Sequence, residues 1–245
     1  MKNHFIFLSL IILEVLPAEN PDSYLGTLCL VIDDFGYAYN ETVEEYFSME
    51  RDFSIAIIPG HYYSQIIGQK ADSLGFEIIL HMPMEPYNYD SHSEKSFILS
   101  ESLNAYEVEE RINLAFLEIP YAVGMNNHQG SKATANLQLM KNVARSLKKL
   151  NKFFLDSFTN PESRGFITMR RFGVKTELRQ VFLDHIEDTL HIQNQLDSLV
   201  SLSHNMDVAI GIGHVKPMTL QILKQEIPKL KSQGYKFVSL SEIVR

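Results

Sequence analysis

The sequence predicts an α/β fold whose mostly parallel sheet curls into a barrel or an incomplete barrel. Three observations carry this expectation. From Thr27 onward, short apolar runs alternate with segments of helical spacing, the pattern of repeated strand–helix units. The runs are almost continuously apolar, as strands buried on both faces must be. Seven or eight such units in about 220 residues match the scale of a barrel.

The first expected strand, 27–32, is the run Leu28-Cys29-Leu30-Val31-Ile32, and it stops at Asp33-Asp34. The second and third fall at 53–58 and 76–80. Between them Ile66, Ile67, Ala71 and Leu74 form one helical face, and Gly75 follows as a C-terminal cap. A stretch from 86 to 100, rich in Tyr, Ser, Asp and His, reads as a long loop, either functional or without fixed structure. Val108, Ile112, Ala115 and Phe116 then mark a helix before a fourth strand at 121–125. Leu137, Met140, Val143, Ala144 and Leu147 mark the next helix, ahead of strands at 152–155, 179–183 and 207–212. A helix bearing Leu220, Leu223, Ile227 and Leu230, closed by Gly234, leads to a last strand at 236–239.

The formal net charge of -8, with no basic block, argues against nucleic acid as the partner. The single cysteine, Cys29, has no intrachain disulfide partner and reads as a small buried hydrophobe. At the N-terminus a basic start precedes the apolar run from Phe5 to Leu13, and Pro17-Ala18 follow. Residues 1–18 therefore read as a secretory signal, too short to span a bilayer stably, and residues 24–245 as one domain. An exported, periplasmic protein is expected, with no transmembrane anchor beyond the leader.

Sites in parallel α/β folds lie at the C-terminal ends of the strands. Here those ends carry Asp33 and Asp34, then His61, His81, Asn126 to His128, Asp156, Asp184 with His185, and finally His214. Singly, each is most simply a structural residue; Asp33-Asp34 alone reads equally as a turn cap. Jointly they describe a shared site. Asp with His suits a borderline divalent cation, most simply zinc, and the lack of clustered cysteines argues against a closed structural zinc site. His4, His92, His191 and His204 lie in the leader, the long loop or helices and read as solvent-facing or capping residues.

Six segments carry a resemblance: VIDDFGY at 31–37, LHMPMEP at 80–86, PYAVGMNNHQGS at 120–131, FFLDS at 153–157, VFLD at 181–184 and IGIGH at 210–214. In this order they resemble the divergent polysaccharide deacetylases, the YibQ-type group of the carbohydrate (NodB-like) deacetylase superfamily. The resemblance implies a distorted, incomplete (β/α) barrel of about seven parallel strands, the NodB-like deacetylase fold. It implies Asp33 as general base, Asp34 and His81 as metal ligands and His214 as general acid. Ordinary members place a second histidine four residues after the first on one loop. This chain has Glu85 there, so His128 is the expected third ligand. The arginine motif of ordinary members has no clear match, and Asp156-Ser157 is expected in its place. Val215-Lys216 stands where close relatives often have Pro-Arg. Glu85, Asn127, Asp156 and Ser157 complete the set as substrate-binding residues. Asp156 and Asp184 are the expected acceptors behind the histidines.

The implied activity is zinc-dependent removal of N-acetyl groups from an amino sugar polymer of the cell envelope. Two alternatives accompany it. One is a catalytically weak metal-binding protein that docks on glycan or an envelope partner. The other is a metal-free glycosidase using Asp33 with Asp156. Tyr37, Tyr62, Tyr63, Tyr87 and Tyr89 either stack on sugar rings or cover the barrel mouth.

Overall fold

The computed structural model describes residues 24–88 and 95–245. The leader at 1–18, with His4, and the loop residues Tyr89 and His92 lie outside them. No helix among the described residues is long and apolar enough to cross a membrane.

The sheet is parallel and nine-stranded: β1 Gly26–Phe35, β2 Ser54–Ile57, β3 Ile78–Met84, β4 Gly124–Gln129, β5 Phe153–Asp156, β6 Thr176–Leu178, β7 Val181–Phe182, β8 Ala209–His214 and β9 Tyr235–Phe237. Its spatial order is β6-β5-β4-β3-β2-β1-β8-β7, with β9 on the start of β1. Among the described residues eight helices accompany the strands, the last of them after β9: α1 Glu41–Phe47, α2 Ser64–Ser73, α3 Ala105–Glu118, α4 Leu137–Leu150, α5 Gly165–Phe172, α6 Thr189–Ser203, α7 Pro217–Ser232 and α8 Leu240–Ile243. This is the expected incomplete (β/α) barrel, with more strands than the expected seven or eight. The extra one is β6, which lies before the expected run at 179–183; that run contributes only the two-residue β7, with Arg179 and Gln180 forming the junction between the two strands.

β6 and β7 do not pair, so the barrel has a seam there. Arg179 and Gln180 bridge it. The Arg179 guanidinium donates to the carbonyls of Ser157 and Phe158 at 2.6 and 3.0 Å and lies over the Phe182 ring. Gln180 donates to Leu178 O and accepts from Ile210 N–H. The open edges thus find side-chain partners where ladder bonds are missing.

Strand periodicity sorts the core into two sets. Leu28, Leu30 and Ile32 pack outward with the helices, in one cluster with residues such as Val143, Leu196 and Leu223. Cys29, Val31, Ile79, Leu155, Ile210 and Ile212 fill the barrel interior. Cys29 is fully buried, as expected of a small hydrophobe. Leu240 of α8 and Val244 just after it plug the bottom. The Glu77 carboxylate accepts the Leu240 and Ser241 amides and holds that plug. On β4 the interior position beside Phe153 is Gly124. A Cβ there would lie 2.4 Å from the Phe153 ring, so no larger residue fits without repacking. β4 starts later than the apolar run at 121–125 suggests. Its polar half, Asn126 to His128, continues the ladder, and Asn126 and His128 form part of the barrel's upper interior.

Candidate active site

Continuing the interior rows upward exchanges apolar side chains for polar ones. Val31 and Ile212 are followed by Asp33 and His214, which are register partners. Ile79 and Gly124 are followed by His81 and Asn126, also partners. The site is therefore the top layer of the barrel interior.

Alternation should send Asp34 to the opposite face from Asp33. A bulge prevents this. Between Ile32 and Phe35, β1 has one more residue than β2, and Asp34 takes φ 69. A left-handed aspartate costs on the order of 1 kcal/mol, the kind of strain that persists at functional sites. Both carboxylates reach the same imidazole: His81 Nε2 is 3.6 Å from Asp33 Oδ2 and 3.3 Å from Asp34 Oδ1.

Asp34 Oδ1, His81 Nε2 and His128 Nδ1 form a triangle with edges of 3.3, 3.1 and 3.1 Å. These three residues form a group able to hold a metal ion. Ligand atoms 2.0–2.1 Å from a tetrahedral zinc stand roughly 3.3–3.4 Å apart, close to these edges. Asp34 Oδ1 is buried without a well-formed hydrogen bond despite two imidazole nitrogens beside it, a mark of an atom suited to a cation.

The electrostatics separate the two aspartates. Burial pushes the Asp33 carboxyl up, and the charges of His81 and His214 only partly offset it. Burial acts on Asp34 too, but contacts with His128 and His81 overcome it and hold that carboxyl well below its usual range. His81 is the converse: burial favours the neutral ring, but Asp33 and Asp34 raise it to about 9. A proton on His81 offsets part of the charge of the two carboxylates.

His214 stands across from Asp34, with 3.9 Å between Nε2 and Oδ2. Its Nδ1 is 2.7 Å from Asp184 Oδ1. The other Asp184 oxygen accepts the His214 amide and the Thr219 hydroxyl. Burial would lower the His214 ring, yet the bond to Asp184 and the charge of Asp34 raise it. Tyr37 forms the near wall, its hydroxyl 3.4 Å from His128 Nε2 and its ring 4.3 Å from His61. A cleft of about 210 Å³, lined by Asp34, Tyr37, Asn40, His214 and Lys216, opens beside the cluster. Tyr62 and Tyr87 are exposed.

The four expected substrate residues sit differently. Asp156 is buried, and its carboxylate accepts from Phe158 N–H, Ser163 Oγ–H and Phe166 N–H. Those bonds shape the loop after β5 and leave no contact with a histidine, so Asp184 alone of the expected pair backs one. Asn127 accepts the Ser157 amide and donates to the Gln129 carbonyl, tying β4 to β5. Ser157 is buried beneath the mouth. Glu85 pairs with Lys132 at 2.8 Å and accepts the Glu101 amide, so it anchors the end of the long loop. Away from the cluster, His185 contacts His191, and His204 hydrogen-bonds the Tyr235 hydroxyl.

Sequence reasoning gave Asn126 no role. Its Oδ1 is 2.6 Å from His81 Nδ1, and its Nδ2 donates to Asp33 Oδ1 at 2.8 Å. The available signal was positional, since Asn126 shares the interior parity of Gly124 and His128.

The family model described as divergent polysaccharide deacetylase matches residues 30–244. The uncharacterized protein YibQ of Escherichia coli (strain K12) is 34% identical over 206 residues, 84% of this chain. The chain spans 63% of that relative's length. A solved structure of an uncharacterized protein from Agrobacterium tumefaciens C58 superposes with a TM-score of 0.85 at 19% identity, covering 91% of each chain. A CE4 family pseudoenzyme from Bacillus anthracis superposes with a TM-score of 0.53 at 14% identity, covering 90% of this chain and 66% of the other.

Proposed function

The chain belongs to the divergent polysaccharide deacetylase family, and from that premise we propose that it is a metal-dependent hydrolase that removes N-acetyl groups from an amino sugar polymer. The observation that carries the reading is the ligand triangle of Asp34, His81 and His128, with Asp33 on one side and the His214–Asp184 pair on the other. The triangle would hold a divalent cation, zinc by its mixed oxygen and nitrogen donors. A cation bound there supplies Lewis acidity, activating a water and polarising a carbonyl.

The chain's own residues supply the proton transfers. Asp33, raised by burial, accepts the proton of the attacking water as the water oxygen bonds to the acetyl carbon. His214, raised by Asp184, carries a proton to the amide nitrogen as the C–N bond breaks. Acetate and a free amine result. Asp184 fixes which His214 nitrogen faces the cleft, because Nδ1–H is bound to it. Two neighbouring groups with separated proton affinities are the arrangement that acid–base catalysis needs.

The apolar run from Phe5 to Leu13 supports a proposed location in the periplasm, with an envelope glycan as substrate. The competing reading, a glycan-docking protein with little turnover, draws on the Bacillus anthracis neighbour, described as a pseudoenzyme. The two-carboxylate glycosidase draws no support from the geometry, because Asp156 is engaged by its own loop. The deciding experiment incubates zinc-loaded protein with acetylated amino sugar polymers and measures released acetate. Acetate above the Asp33→Asn background supports the hydrolase. Glycan binding with no acetate from any polymer supports the docking reading.

A further inference from the structure

We propose that Asn126 is a positioning residue, whose single amide locks the His81 imidazole and the Asp33 carboxylate into one fixed relation. The inference rests on the proposed ligand role of His81. Asn126 is fully buried on β4, beside His81 of β3 in the parallel register. Both strands are interior to the sheet, so the amide's place is set by ladders rather than by a loop.

The chemistry fixes which way the amide points. A carboxylate only accepts, so the amide end facing Asp33 must be the NH₂. The oxygen then faces His81 Nδ1 at 2.6 Å, and that nitrogen must carry a hydrogen. The reversed amide would set an oxygen against the carboxylate, and both bonds would be lost. With Nδ1 protonated, the Nε2 lone pair of His81 is directed at Asp34 and His128. The same amide is the one side-chain hydrogen-bond donor to Asp33 among the described residues. Among neutral side chains of this size, only the asparagine carboxamide carries its acceptor and its donor on separate atoms, one for the imidazole and one for the carboxylate. An aspartate at 126 would keep the first bond and set a third carboxylate against Asp33.

Two variants of the full chain separate the arms. Asn126→Asp keeps the oxygen facing His81 and loses the N–H facing Asp33. Asn126→Ala loses both. Zinc affinity, measured by competition with a chelator, should fall about 10–100-fold in Asn126→Ala. In Asn126→Asp it should stay near the parent value or tighten. Nitrogen-15 NMR of the zinc-loaded parent should show His81 with a slowly exchanging Nδ1–H, kept in Asn126→Asp and lost in Asn126→Ala. Parent-like zinc affinity in Asn126→Ala, or His81 bound to zinc through Nδ1, overturns the proposal. Should Asn126→Ala not fold, the spectra of the parent and of Asn126→Asp decide alone. A parent that takes up no zinc removes the ligand reading itself, and the proposal falls with it; the parent titration shows this before any variant is compared.

Discussion

Asp33 and Asp34 are adjacent, equally acidic in isolation and assigned opposite tasks, and the difference comes from their neighbours. Asp34 meets two imidazoles and stays ionised. Asp33 is buried deeper, and its carboxyl is raised. Asp34→Asn should therefore lower zinc affinity and acetate release together. Asp33→Asn should keep the metal and lose turnover by about 10²–10⁴-fold, the usual contribution of a general base. Zinc titration and acetate release on both variants check this. Normal turnover in Asp33→Asn would remove it as the base. The His214–Asp184 pair gives a second test. Asp184 raises His214, so Asp184→Asn should lower the His214 pKa. A general acid works when protonated, so the alkaline limb of kcat/KM should move to lower pH. An unmoved limb would mean that His214 is not the acid.

At the scale of elements, the strand ends were legible and their joints were not. Reading the C-terminal end of each apolar run located Asp33, Asp34, His81, His128, Asp184 and His214, because a parallel sheet delivers those ends to one rim. The bulge that swings Asp34 beside Asp33 left no such trace, since it depends on pairing with β2. The role of Asn126 was hidden for a related reason: it follows from the β3–β4 register, which composition does not encode. The seam was masked because the expected run at 179–183 holds only β7 and the junction residues Arg179 and Gln180, while β6 precedes it. Two Arg179 hydrogen bonds tie the junction at that seam to the loop after β5, and bonds to charged groups contribute about 1.5–3 kcal/mol each. Arg179→Ala should lower the denaturant midpoint by a comparable stability with little change in m value. A midpoint equal to the parent's would show that the seam does not depend on Arg179. Gly124→Ala should cost about 1–3 kcal/mol through the clash with Phe153, read in the same denaturation series.

For the whole molecule, the cluster links protons, metal and stability. The folded-state pKa of His81, about 9, lies above its ordinary value of 6.5. Such a group stabilises the metal-free fold fully below pH 6.5, and that stabilisation is lost as pH rises through about 9. Asp33, also raised, acts in the same direction at lower pH. Metal-free protein should therefore melt at progressively lower temperature from pH 6.5 to 9, and zinc should remove most of that slope. A melting temperature flat with pH in the metal-free protein would show that His81 holds no extra proton. We propose export on the strength of the apolar run from Phe5 to Leu13, and mature protein should then begin near Glu19. N-terminal sequencing of protein from the envelope fraction checks this, and an intact Met1 on cytoplasmic protein would contradict it.

The cation site joins residue, strand and barrel into one claim, and it is tested by the metal content of purified parent beside that of His128→Ala. His128 sits at the top of β4, so its removal should leave the fold in place. The expected result is about one zinc per parent chain, as a three-ligand catalytic site holds. Most of it should be absent from His128→Ala, with circular dichroism unchanged. Full metal retention in His128→Ala, or a parent that binds no zinc when it is supplied, would contradict the site.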